Sequence, residues 1–302
     1  MAKDKFYSGF ISLIGRPNVG KSTLMNRLVG EKIAIISPKP QTTRNKIQTI
    51  LTTGDFQAIF IDTPGIHKPK HKLGSYMVKA AETTLNEVDI VLMLIEPTDK
   101  MHETDSYIID RLKTVKSQVI LVINKIDTIE RSKLLSIMDN YRQLYNFKEI
   151  VPISAKDGSN CDKLMEVIRK YLTEGPRYFP EDMITDQPER QIASEIIREK
   201  ILQLLQEEVP HGIAVEIEAM KKRSDKNLVD VDAIIYCEKD SHKGMVIGKQ
   251  GAMLKKIGMR SRRDITALLG SQINLQLWVK VKKDWRDSDF LLKNFGYDQR
   301  NI

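Results

Sequence analysis

The stretch Gly15-Arg16-Pro17-Asn18-Val19-Gly20-Lys21-Ser22 decides the fold of the first half of the chain. Its spacing is that of a phosphate-binding loop, and its flanks turn the spacing into a mechanism. The apolar run Gly9–Ile14 before it suits a buried strand. Lys21–Leu28 after it has helical spacing, with Leu24, Met25 and Leu28 on one face. In that setting Gly15 and Gly20 let backbone N–H groups converge on phosphate oxygens, and the helix N-terminus adds partial positive charge. Lys21 is expected to reach the β- and γ-phosphates and the Ser22 hydroxyl to ligate Mg2+, with Thr23 completing the contact set.

Outward from the loop, apolar runs at 10–14, 56–61, 88–95, 118–123 and 148–153 alternate with helical patterns near 21–29, 72–86, 104–114, 131–143 and 160–172. This predicts an α/β domain over 1–174, a mostly parallel sheet with helices on both faces and ligands beyond the carboxyl ends of its strands. Asp62-Thr63-Pro64-Gly65 ends the second run, where the carboxylate could hold Mg2+ through water and the Gly65 N–H bond a γ-phosphate. Asn124-Lys125-Ile126-Asp127 follows the fourth run. Asp127 can accept from both N1–H and the N2 amine of guanine, Asn124 can donate to N7 and brace the phosphate loop, and the Lys125 stem can cover the ring. Adenine has no N1–H to offer, and mismatches of that kind lose roughly 10⁴-fold or more. In Ser154-Ala155-Lys156 the Ala155 N–H could bond guanine O6. Together the motifs imply a guanine-nucleotide site for GTP or GDP.

A switch segment is expected at Ser37–Asn45, with Thr42 and Thr43 as candidate Mg2+ ligands and Thr43 favoured because it could also sense the γ-phosphate. Ile66–Ser75 reads as the second mobile element, with His67 and His71 as possible acids or bases. Ile66 stands where many regulatory relatives of this domain place a water-orienting glutamine. Hydrolysis should then be slow, with unassisted turnover as low as roughly 10⁻⁴ s⁻¹. The Asn18 side-chain oxygen could ligate a monovalent cation, K+, beside the phosphates.

The 302 residues exceed one ordinary core, and Pro176, Pro180 and Pro188 mark 175–188 as a linker. Two distant cysteines and no bilayer-length apolar run fit a reduced, cytosolic protein, and nothing demands more than a monomer. Residues 189–302 read as a helix to about Glu208, strands at Ala214–Met220 and Val229–Glu238, a basic loop, Gly248-Lys249-Gln250-Gly251, a helix to about Leu269 and a strand at 273–282. This order is that of an α+β type II KH domain, whose G-x-x-G loop clamps about four nucleotides. Lys239–Arg263 carries eight basic residues against one acid, including Lys255, Lys256, Arg260, Arg262 and Arg263, a field that favours nucleic acid.

The combination of these motifs with Gln41-Thr42-Thr43-Arg44, Ile66-His67, Tyr178-Phe179-Pro180 and Val246–Gly251 resembles the Era family along essentially the whole chain. The resemblance implies a bacterial GTPase that binds the 3′ end of 16S rRNA and assists 30S subunit maturation, in the cytoplasm and peripherally at the inner membrane. It also makes the isoleucine at 66 part of the family pattern. Two rival readings stand beside it: a signalling GTPase whose second domain binds a protein effector, and an RNA-binding module in which nucleotide is only structural.

Overall fold

The computed structural model describes residues 5–37, 39, 42–65, 71–85, 87–98, 100–206 and 209–297. The first sheet contains β1 (Tyr7–Ile14), β2 (Ile47–Thr52), β3 (Phe56–Asp62), β4 (Ile90–Ile95), β5 (Gln118–Ile123), β6 (Glu149–Pro152) and the two-residue β7 (Thr173–Glu174). The order is β2-β3-β1-β4-β5-β6, parallel except for β2 against β3 and for β7, which pairs antiparallel with the start of β1. Helices α1 (Lys21–Val29), α2 (Lys72–Leu85), α3 (Glu103–Leu112), α4 (Arg131–Leu144) and α5 (Cys161–Tyr171) cover both faces.

Strand β4, Ile-Val-Leu-Met-Leu-Ile, shows why an unbroken apolar run was needed. Its alternate residues Ile90, Leu92 and Leu94 pack with Leu24 of α1 and Leu164 of α5. Val91, Met93 and Ile95 pack with Leu85, Ile108 and Ile137 on the other side. A strand covered by helices on both faces reads as an unbroken apolar run of this kind.

The second sheet is β10-β9-β8, with β8 (Ile213–Lys222) antiparallel to β9 (Leu228–Cys237) and β10 (Gln272–Val281) parallel to it. Helices α6 (Glu189–Leu204) and α8 (Ala252–Leu269) bury Ile196, Ile197, Ile257 and Ile265 against its inner face. Between β9 and the G-x-x-G loop lies α7 (Asp240–Ile247), where the sequence suggested a basic loop. Only Val246 of this helix is buried and Gly244 sits inside it, so it has no apolar periodicity to detect. Helix α6 stops at Leu204 rather than near 208, and Glu207 and Glu208 lie outside the described residues. Strand β2, Ile-Gln-Thr-Ile-Leu-Thr, is short and half polar and carries no apolar run to mark it in the sequence. A last helix, α9 (Asp289–Asn294), follows Trp285. These elements pack Trp285, Leu292 and Tyr297 against Leu73, Tyr76 and Met77 of α2, joining the two sheets through one apolar cluster.

The proline-rich segment is held along the first sheet. Gln57, fully buried, uses its whole amide: Oε1 accepts from Tyr178 N (2.8 Å) and Phe179 N (3.0 Å), while Nε2 donates to Phe179 O and Thr52 Oγ1 (both 2.9 Å). Further along, Ile50 N donates to Ile184 O (2.9 Å) and Thr185 Oγ1 to Gln48 O (2.7 Å). Composition therefore identified a segment without regular structure, and Gln57 on β3, with Gln48 and Ile50 on β2, holds it along the first sheet. Gln57→Leu is expected to lower stability by about 2 kcal/mol in urea denaturation and to speed tryptic cleavage at Arg177. Unchanged cleavage would show that Gln57 does not hold the segment.

Candidate functional site

At the carboxyl end of β1, the loop Gly15–Gly20 turns directly into α1. Gly20 has φ 101°, and a Cβ there would lie 2.2 Å from Asn124 Nδ2, so only glycine allows the base loop this close. Asn124 Nδ2 in turn donates to Val19 O (2.7 Å). Lys21 is buried and donates to Gly15 O (3.0 Å) and Arg16 O (3.1 Å). Thr63 Oγ1 donates to Leu13 O (2.8 Å), which fixes the turn that carries Pro64 and Gly65. A Cβ on Gly65 would come within 2.9 Å of Pro17 N, so the two loops touch backbone to backbone. Together they wall a cavity of about 390 Å³ whose lining includes Asn18, Lys21, Thr23, Thr43, Gly65 and Lys125.

Three oxygens converge at its floor. Ser22 Oγ donates to Asp62 Oδ2 (2.7 Å), Thr43 Oγ1 donates to the same atom (3.0 Å), and the two hydroxyls lie 3.0 Å apart. Asp62 Oδ1 is buried and has no hydrogen-bond partner among the described residues. An octahedral Mg2+ with oxygens at roughly 2.0–2.1 Å sets neighbouring ligands about 2.9 Å apart, so the two hydroxyls at 3.0 Å fit adjacent Mg2+ positions, with the Asp62 carboxylate placed to bond a metal-bound water. Thr42 Oγ1 points elsewhere, donating to Lys39 O (2.6 Å).

At the ends of β5 and β6, Ala155 N donates to Asn124 Oδ1 (2.9 Å) and Ser154 Oγ to Asp127 Oδ1 (2.8 Å). Ser154 thus holds the Asp127 carboxylate in place. The Ala155 N–H expected for guanine O6 already has Asn124 as its partner, so a bound base would share it. Ile126 contributes through its backbone, its N–H donating to Ile153 O (3.2 Å). The Lys156 carbonyl accepts from Arg27 of α1. Ile66 and His67 lie outside the described residues. His71, expected as a possible acid or base, instead accepts from Gly74 N (3.0 Å) through Nδ1 and meets Arg286 at 3.2 Å through Nε2.

Sequence reading missed a tie between these loops. The Arg16 guanidinium faces Asp105 (3.1 Å) and Glu96 (3.5 Å), and Glu96 also pairs with Lys125, whose Nζ donates to Asn18 O (2.8 Å). Arg16 therefore serves the cavity through its backbone, and Glu96, at the end of β4, links the phosphate and base loops. A lone acid after a strand carries no pattern by which to find it.

In the second sheet's domain, Gly248 has φ 73° and a Cβ there would meet Met253 N at 2.9 Å. Gln250 is also left-handed at φ 52°, and the loop leaves Lys249 and Gln250 exposed between α7 and α8. Lys255, Lys256, Arg260, Arg262 and Arg263 are exposed on α8, and only Arg263 among them is ion-paired in the described residues, to Asp264 (3.2 Å). Met245 and Met259 are exposed beside them.

Burial pushes the Lys21 ammonium down to about 8, against the attraction of Asp62. Bound phosphate restores the charge. GDP binding is therefore expected to take up most of a proton at pH 8.5 and almost none at pH 7, and affinity should fall as pH rises through 8. Calorimetry in buffers of different ionisation enthalpy checks this, and equal uptake at both pH values contradicts it.

A family model for a 50S ribosome-binding GTPase matches residues 10–125, and one for a KH domain matches 208–286. The chain is 58% identical to GTPase Era of Clostridioides difficile strain 630, over 98% of this chain and 100% of that protein. It is 57% identical to GTPase Era of Alkaliphilus oremlandii, over 97% and 99%. Among solved structures, Era in complex with MgGDPNP and nucleotides 1506-1542 of 16S ribosomal RNA matches with TM-score 0.94 at 42% identity, over 97% of this chain and 99% of that chain. An Aquifex aeolicus Era variant bound to GDP.AlF4- matches with TM-score 0.93 at 41% identity, over 97% and 100%. Identity of this degree over nearly the full length, with both sheets matched, makes this chain a member of the Era family of GTPases, a GTP-hydrolysing enzyme with a C-terminal KH domain.

Proposed function

We propose that the chain is a slow GTP switch that binds the single-stranded 3′ region of 16S rRNA and assists 30S subunit assembly and rRNA maturation. The observation that carries this is the match over nearly the whole chain to Era crystallised with both MgGDPNP and 16S nucleotides. A protein effector is disfavoured as the second domain's partner by the KH match at 208–286. In this reading residues 1–174 form the GTP-binding domain, 175–188 the connection and 189–302 the RNA-binding domain.

Lys21 and the backbone of Arg16–Gly20 hold the phosphates, Asn124 and Asp127 select guanine, and Gly65 N–H and Thr43 respond to the γ-phosphate. Ser22 and Thr43 would ligate Mg2+, with Asp62 behind a water, and a metal held there would supply positive charge against the charge that develops on the transferred phosphoryl group. Asn18, left-handed at φ 68°, would hold K+ beside the loop. The G-x-x-G loop admits the RNA backbone, and Lys249 with the α8 basic residues meets its phosphates. The protein acts as a monomer in the cytoplasm, with peripheral contact at the inner membrane as part of the same reading.

Gly248→Asp adds a side chain where none fits and a negative charge where phosphate would lie. Affinity for a 3′-end 16S oligonucleotide is expected to fall at least tenfold, with wild-type binding weakening at a log–log salt slope of about 0.7 per phosphate contact. Salt-independent binding that survives the substitution would favour the effector reading. Replacing K+ with Na+ is expected to slow hydrolysis severalfold, and equal rates would remove the assignment to Asn18.

A further inference from the structure

Arg44 follows Thr43 directly and leaves in the other direction. Its side chain is 1% exposed and enters the KH domain. There Nη1 donates to Ile213 O (2.6 Å), Nη2 donates to His211 O (2.9 Å), and the guanidinium carbon lies 5.7 Å from the Trp285 ring centroid. Trp285 is fully buried and fixed by its own Nε1 donation to Gly212 O (3.0 Å). No carboxylate among the described residues pairs with Arg44. Carbonyl dipoles and a ring face hold it, which is a planar fork's geometry and one a lysine cannot reproduce. Two residues before Arg44, on the other side of Thr43, the Thr42 carbonyl accepts from Arg198 of α6. The residues on either side of Thr43 are thus anchored to the KH domain, while Thr43 itself turns onto Asp62 and Ser22.

We infer that Arg44 is a positioning residue for GTP hydrolysis, and that the KH elements His211–Ile213 and Trp285 form the fixture that sets Thr43 in the Mg2+ shell. The inference rests on the reading of Thr43 as a Mg2+ ligand. It makes the second domain part of the catalytic assembly and not only its output. Displacing a group of this kind by about 1 Å commonly reduces turnover by about two orders of magnitude.

Single-turnover hydrolysis by the full chain, at saturating GTP and titrated Mg2+, tests it with Arg44→Ala, Arg44→Lys, Thr43→Ala and the Thr43/Arg44 double variant. Both Arg44 variants should turn over at least tenfold more slowly and need more Mg2+. Their GDP affinity should stay within twofold of wild type, which also establishes that they are folded. The double variant should be no slower than Thr43→Ala, because Arg44 acts through Thr43. Additive losses, an equal loss of GDP and GTP affinity, or undiminished turnover in both Arg44 variants would overturn the inference. If Thr43→Ala hydrolyses normally, the Mg2+ reading of Thr43 fails and takes the inference with it. A slow Thr43→Ala beside normal Arg44 variants defeats the Arg44 role alone.

Discussion

Two neighbouring side chains, Thr43 and Arg44, point into different domains, and much of the molecule is arranged around that divergence. Thr43 Oγ1 bonds Asp62 Oδ2 at 3.0 Å, while the Arg44 guanidinium bonds the carbonyls of His211 and Ile213. No third residue separates the nucleotide cavity from the second domain at this point. Lys32 reinforces the contact nearby: its Nζ pairs with Glu199 of α6 and Asp264 of α8 (both 2.8 Å), and Glu199 also accepts from Ile36 N (2.9 Å). Helix α8 carries the basic residues proposed for RNA, so Lys32, ahead of the switch segment, is tied to that helix, while Arg44 at the other end is tied to His211, Ile213 and Trp285.

Electrostatics explains why such a site responds to its ligands. Burial works against the charge on Lys21 and on Asp62, lowering the affinity of the one for its proton and raising that of the other. Each is the chief electrostatic support of the other in the free protein. A triphosphate and a divalent cation supply opposite charges to this pair in a place largely shielded from water, where such interactions are strong. The second domain contributes hydrogen bonds and packing instead, with Arg44 held by dipoles and an aromatic face.

Most of the first domain was legible in the sequence because each loop at a strand end demands particular residues in a short window. Gly20 must be glycine to pass Asn124, and Asp62 must be a short carboxylate at the end of a buried strand. What escaped depends on contacts between distant segments. Arg44 was visible only as the last letter of a motif, since nothing local signals a ring and two carbonyls about 170 residues or more away. Glu96 and Gln57 are single polar residues whose partners are set by the fold. Helix α7 lacks an apolar stripe, so periodicity had nothing to measure.

The central claim is that the state of the nucleotide site reaches the KH domain through the Thr43–Arg44 step. Amide hydrogen exchange of the full chain, compared between Mg2+–GDP and a non-hydrolysable Mg2+–GTP analogue, tests it most directly. Greater protection at 209–215 and 285–297 with the triphosphate is the result this account predicts. Identical exchange in those segments, alongside clear protection at 42–44, would contradict it.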